Sequence, residues 1–135
     1  MQQATNDKET RGIENNKGYR RLIVWKKADE LAYQVYRVTN EFPNHERYGL
    51  ISQMRRAALS VPANIVEGYA HSSRLERRQF YYIARSSLTE LEYYIDFAHR
   101  RLSYLEASQF ENLELLRGEV GSLLNGFIRS VSERG

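Results

Sequence analysis

Apolar residues recur along most of this chain at alternating steps of three and four, the period of one helix face, and no stretch shows the two-residue alternation of a strand. Between Leu22 and Phe42 the positions Trp25, Ala28, Ala32, Val35, Thr39 and Phe42 predict a first helix, which Pro43 and Asn44 stop. A second runs from about Glu46 to Tyr69, with Leu50, Met54, Ala57, Val61 and Ile65 on one side and Pro62 inside. Because proline lacks a backbone donor, Pro62 predicts a kink or a restart, with Ser60 placed to cap the new N-terminus. Gly68 is expected to weaken the last turn. Ser72 and Ser73 are candidate N-caps for a third helix, whose seam is Tyr81, Ala84, Leu88, Leu91, Ile95, Ala98, Leu102 and Leu105. A fourth starts near Ala107 and presents Phe110, Leu113, Leu116, Val120, Leu124, Phe127 and Val131, with Gly118, Gly121 and Gly126 as points of close approach or weakness. Four amphipathic helices with short connections predict an all-α fold, an antiparallel up-down-up-down four-helix bundle.

The second helix is more polar than a plain core helix requires. Gln53, Arg55, Arg56, Ser60, Asn64 and Glu67 sit among its apolar positions. Arg56, Ser60 and Asn64 step along by fours and Asn64 shares a face with Glu67, so a polar ladder runs beside the seam. A buried Glu67 needs a cationic or backbone partner, and Arg55 and Arg56 lie too far along the same helix to supply it. Gln53, Ser60, Pro62, Asn64 and Glu67 are therefore expected to make structural or subunit contacts, with direct ligand contact as the alternative.

The 135 residues fit one domain, read as 19–135, preceded by a polar, aperiodic stretch over 1–18 with the composition of a disordered tail. There is no cysteine, the N-terminal stretch has no apolar core, and no run approaches the roughly 20 apolar residues of a membrane span. A cytoplasmic protein without membrane contact is the expectation. The net charge is only +3, but sixteen of the twenty basic residues are arginine, and they fall in doublets such as Arg55–Arg56, Arg77–Arg78 and Arg100–Arg101. The positive excess lies within residues 19–101, while residues 102–135 are net acidic. Guanidinium forks suit phosphates, carboxylates and aromatic faces.

Catalytic chemistry finds few residues to build on. A carboxylate-bridged metal bundle needs inward glutamates and two Glu-x-x-His motifs, whereas this chain offers Asp96-x-x-His99 and the Glu67–His71 pair, with His45 in a turn. No serine sits in a nucleophile elbow and no glycine-rich phosphate loop is present. The expectation is a protein that is not an enzyme and takes no metal or other cofactor.

The run YGLISQMRRAALSVPANIVEG, from Tyr48 to Gly68, resembles the bacterial four-helix-bundle family of 23S rRNA-intervening sequence proteins. Trp25, Lys27, Ala28, Glu30, Leu31, Tyr36, Phe42 and Pro43 are similar to that family's first-helix pattern, and Ile83, Ala84, Ser87, Leu88, Glu90, Leu91 and Glu92 to its third. The likeness extends over about residues 20–131. Ser86 departs from it, standing where glycine is usual, which predicts altered packing there. The family's fold in turn resembles the accessory proteins of diversity-generating retroelements, basic pentameric barrels that bind nucleic acid and a reverse transcriptase. That likeness implies a homo-oligomer, by analogy a pentamer, with RNA or DNA and a reverse transcriptase or other protein as partners.

Two functions follow as expectations. In the first, Arg55, Arg56, Arg74, Arg77, Arg78, Arg100 and Arg101, extended by Lys26 and Lys27, hold nucleic-acid phosphates, while Tyr69, Tyr81, Tyr82, Tyr93 and Tyr94 stack on bases. In the second, the same arginines pair with Glu106, Glu111, Glu114 and Glu119 in a protein scaffold, with Trp25 as a core or partner anchor. A continuous arginine stripe free of carboxylates favours the first, and arginines tiled against the acidic fourth helix favour the second.

Overall fold

In the computed structural model, which describes residues 18–133, a 3₁₀ turn over Gly18–Arg21 leads into α1 (Ile23–Thr39). A second 3₁₀ turn over Asn44–Glu46 precedes α2 (Leu50–Ala70), followed by α3 (Arg74–Arg100) and α4 (Ala107–Glu133). The described residues contain no strand, and no helix among them is long and apolar enough to cross a membrane. Of the stretch read as a tail, residues 1–17 lie outside the described residues, and Gly18 already belongs to the first turn. Each helix packs against two others, α2 between α1 and α3, and α4 between α3 and α1. Leu31, Met54, Ile65, Leu91, Ile95, Leu113 and Leu124 fill the space between them. Burial of a side chain of that size contributes about 2 kcal/mol, so this set is the main source of cohesion.

The helix limits differ from the sequence expectation for local reasons. α1 ends at Thr39, three residues early; helical geometry is disfavoured for Phe42 by the following Pro43, and Phe42 turns into the core, where its ring lies 5.0 Å from that of Tyr104. The buried stripe of α1 begins at Val24 and includes Leu31, leaving Trp25 only half-buried. The second helix begins at Leu50, since the chain first closes the short turn at Asn44–Glu46 and breaks at Gly49 (φ −113°, ψ −108°). α3 stops at Arg100, and Leu105 reaches the core from the loop beyond Ser103, which takes a left-handed φ of 56°. On α4 the core also takes Ile128, while Phe110, Leu116, Phe127 and Val131 are half-buried.

Pro62 does not interrupt α2. The helix continues through it, with the ring buried beside Ala58, Val61 and Ile65. A proline in a helix interior costs about 3 kcal/mol, which the apolar burial on both sides of it offsets. Ser60 consequently caps nothing. Its hydroxyl lies 2.7 Å from that of Ser87 on α3, and Asn64 Nδ2 donates back to the Ser60 carbonyl at 2.8 Å. Small residues let α2 and α3 approach closely, and Gly68 is the tightest of these points: a Cβ there would sit 2.5 Å from Cε1 of the buried Tyr81 ring. Ser86 points outward and is exposed, so the serine occupies no close-packed position.

Gly68→Ala tests this contact. Helix propensity alone would favour alanine by up to about 1 kcal/mol, but overpacking against a buried ring costs about 1–3 kcal/mol. Urea unfolding is expected to show net destabilisation, partly relieved in the Gly68→Ala/Tyr81→Leu double variant.

Candidate functional site

Much of the basic charge is committed to packing. Arg55, half-buried on α2, donates from Nε to Thr39 Oγ1 at 2.9 Å and from Nη2 to the Tyr36 carbonyl at 3.3 Å and Asn40 Oδ1 at 3.0 Å. Its guanidinium also lies 4.6 Å from the Tyr36 ring centroid. Arg55 thereby ties α2 to the C-terminal turn of α1, adding side-chain donors where Asn40, Glu41 and Phe42 N–H groups already close the last carbonyls. Arg56 donates to Gln53 Oε1 at 3.1 and 3.0 Å and pairs with Glu90 on α3. Tyr94 also donates to Glu90, at 2.8 Å, and the bonds from Tyr94 and then Arg56 hold the Glu90 carboxyl below the ordinary glutamate range. Lys27 pairs with Glu119 at 2.9 Å and Arg100 with Asp96 at 3.0 Å, while Lys26 and Arg101 are exposed.

The first three turns of α3 are different. Ser73, in extended geometry, caps this helix by accepting from the Glu76 N–H at 3.4 Å. Cations near a helix N-terminus oppose its dipole, so helix stability gives no reason for Arg74, Arg77 and Arg78 to stand there. Arg74, Arg78, Tyr82 and Arg85 follow at steps of four, four and three, one stripe along the side of α3 that meets α4. Arg85 donates to Asn125 Oδ1 on α4 at 3.3 Å. The guanidinium carbons of Arg78 and Arg85 lie over the Tyr82 ring, 6.0 and 5.1 Å from its centroid. Arg77 turns aside to donate from Nε to the His71 carbonyl. Arg78 Nε is buried and has no hydrogen-bond partner among residues 18–132. Among residues 18–132, no carboxylate lies within 4.0 Å of the guanidinium nitrogens of Arg74, Arg77, Arg78 or Arg85.

Two shallow grooves flank the stripe. One, of about 380 Å³, is lined by Ser72, Arg74, Arg77, Tyr81, Phe127, Ser130 and Val131. The other, of about 230 Å³, has Arg74, Leu75, Arg78, Val131 and Ser132. Farther along, the α3/α4 boundary changes sign: Arg117 is held by Glu92 and Glu114, each at 2.9 Å, and a third groove is lined by Thr89, Glu92, Tyr93, Asp96, Phe110 and Glu114.

The basic residues read from the sequence therefore separate. Arg74, Arg77 and Arg78 stand together, Arg55 and Arg56 serve the α1–α2 and α2–α3 contacts, and Arg100 and Arg101 lie at the opposite end of α3. Within the chain the α3 arginines do not pair with Glu106, Glu111, Glu114 or Glu119: of those four, Glu114 holds Arg117 and Glu119 holds Lys27. Glu67, read as a structural or subunit contact, is exposed, since Gly68 and not Glu67 faces α3. Asp96 and His99 go separate ways, the first to Arg100 and the second stacked 4.2 Å from Phe110. Arg85 escapes a search for arginine doublets, but its spacing from Arg74 and Arg78 would have found it.

A family profile described as 23S rRNA-intervening sequence protein matches residues 20–126. Among solved structures, a crystal structure from Bacteroides thetaiotaomicron VPI-5482, described as a protein with unknown function from the S23 ribosomal protein family, is similar in fold. The identity is 24% and the TM-score 0.71, over 79% of this chain and 99% of that one. A comparison with curated proteins gives no match.

Arg55→Ala is expected to lower stability by about 2 kcal/mol, the scale of hydrogen bonds from a charged donor to buried acceptors, as read by urea unfolding. Glu90 makes a pH-dependent contribution. Its folded pKa lies below its unfolded one, so its stabilisation is complete above the ordinary glutamate range and is lost as pH falls through the lowered value. The stability gap between the native chain and Glu90→Gln is thus expected to narrow on acidification. A gap independent of pH would contradict the assignment.

Proposed function

The chain belongs to the 23S rRNA-intervening sequence protein family, and from that premise we propose that it is a non-enzymatic, homo-oligomeric bundle that binds nucleic acid, RNA or DNA, through the arginine stripe of α3. The observation that carries this reading is the run Arg74, Arg78 and Arg85, which meets no carboxylate of residues 18–132, with a buried Arg78 Nε that has no hydrogen-bond partner among the same residues. Guanidinium groups kept clear of carboxylates at a helix N-terminus add their charge to the helix dipole and create a positive field suited to phosphates.

The up-down-up-down arrangement draws support from the residue pairings, which run in opposite senses along neighbouring helices: Arg56 with Glu90, Ser60 with Ser87 and Gly68 with Tyr81 for α2 and α3, and Arg85 with Asn125 and Glu92 with Arg117 for α3 and α4. Assembly draws support from the apolar residues that α3 leaves exposed: Leu75, Ile83 and Tyr93, at 64%, 46% and 57%, are side chains that a neighbouring subunit would cover. Family analogy puts the number of copies at five, and symmetry would multiply a modest field per chain. The same apolar residues support a second reading, a scaffold that docks a protein such as a reverse transcriptase.

Light scattering with absorbance at two wavelengths, at low and high salt, tests both readings together. An oligomer that binds a labelled single-stranded RNA, with an affinity that falls steeply as salt rises, is the expected result. The exposed-site variant Arg74→Glu/Arg85→Glu is expected to lose at least tenfold in affinity at unchanged mass. An oligomer that binds no nucleic acid at low salt would transfer the function to protein docking.

A further inference from the structure

Resting on the nucleic-acid reading above, we infer that the stripe grips the phosphodiester backbone alone and leaves the bases unread, so that binding is indifferent to base identity and does not need a base at all. Base recognition by a single strand requires an open aromatic face or a polar group aimed at a base edge. Tyr82 is the aromatic on the stripe, and its ring is already taken: Arg78 lies over it from the turn before and Arg85 from the turn after, at 6.0 and 5.1 Å. Its ring therefore orients two cations and offers no platform to a base, since cation–π contact fixes each guanidinium over the ring.

The neighbouring aromatic side chains are also engaged. Tyr81 is buried beneath Gly68, and Phe127 meets it edge-on at 5.7 Å. Tyr93 is exposed, but it shares its groove with Glu92, Asp96 and Glu114, which repel the phosphates that a stacked base would bring with it. Tyr94 is committed to Glu90. The stacking role expected from the sequence is thus closed off for Tyr81, Tyr82, Tyr93 and Tyr94 by their surroundings, and Tyr69, 41% exposed, lies off the stripe at the end of α2 against Gly18. What remains available on the stripe are guanidinium groups, whose geometry matches phosphate oxygens that every nucleotide carries.

The test compares three single-stranded DNA probes of equal length by fluorescence anisotropy at one low salt concentration: oligothymidylate, oligodeoxyadenylate and an abasic deoxyribose-phosphate strand. The expected result is dissociation constants within about threefold of one another and the same salt slope for all three. An abasic strand that binds tenfold or more weakly than both base-bearing strands would overturn the inference while leaving nucleic-acid binding intact. A tenfold preference between the two base-bearing strands would overturn it in the same way. Failure of all three probes while the single-stranded RNA still binds would also overturn it, since the sugar would then be read, whereas failure of the RNA as well would remove the nucleic-acid reading on which the inference stands.

Discussion

The close approach of α2 to α3 is the constraint on which the rest of the molecule depends. It is the most extensive helix contact among the described residues, and short side chains meet across it: Ser60 and Gly68 from α2, and Ser87 from α3. Where no Cβ stands at Gly68, the Tyr81 ring fits against the backbone, which sets how α3 begins relative to α2. Arg74, Arg77 and Arg78 are carried on those first turns, so the place of the basic stripe is inherited from a packing contact and needs no loop to hold it. The Ser60–Ser87 hydrogen bond lies along the same seam and gives two short polar side chains a mutual partner at partial burial.

Electrostatic roles in this bundle are assigned by what stands opposite. Arg55 and Arg56 are adjacent in sequence and chemically identical, yet one turns to the end of α1 and the other to Glu90 on α3. On α3, Arg78 and Arg85 find an aromatic ring instead of a carboxylate. A guanidinium engaged by an uncharged ring or an amide keeps its full charge visible to the surroundings, whereas one held by a carboxylate is largely neutralised.

The seam of α3 was legible because its period is long and uninterrupted: Tyr81, Ala84, Leu88, Leu91, Ile95 and Ala98 are all buried. Leu105 shares the period but reaches the core from a loop, since a pattern of spacing does not register a left-handed residue such as Ser103. Pro62 reads locally as a break, and only packing contributed by other helices shows why α2 continues through it. The arginines were the least legible. Their chemistry is plain in the sequence, but the partner that decides each one lies on another helix, sixteen positions away for Arg55 and Thr39, or three or four away on a face shared with a tyrosine.

The pairing of Arg117 with Glu92 and Glu114 has a consequence for length. It places negative charge across the α3/α4 boundary just beyond Arg85, so the attractive part of that boundary has an end. From Arg74 to Arg85 the helix rises about 16 Å, and this is the stretch over which a polyanion gains from each chain before meeting repulsion. One subunit is thus a short ruler, and occupying more than a few phosphates requires the next subunit to present its own.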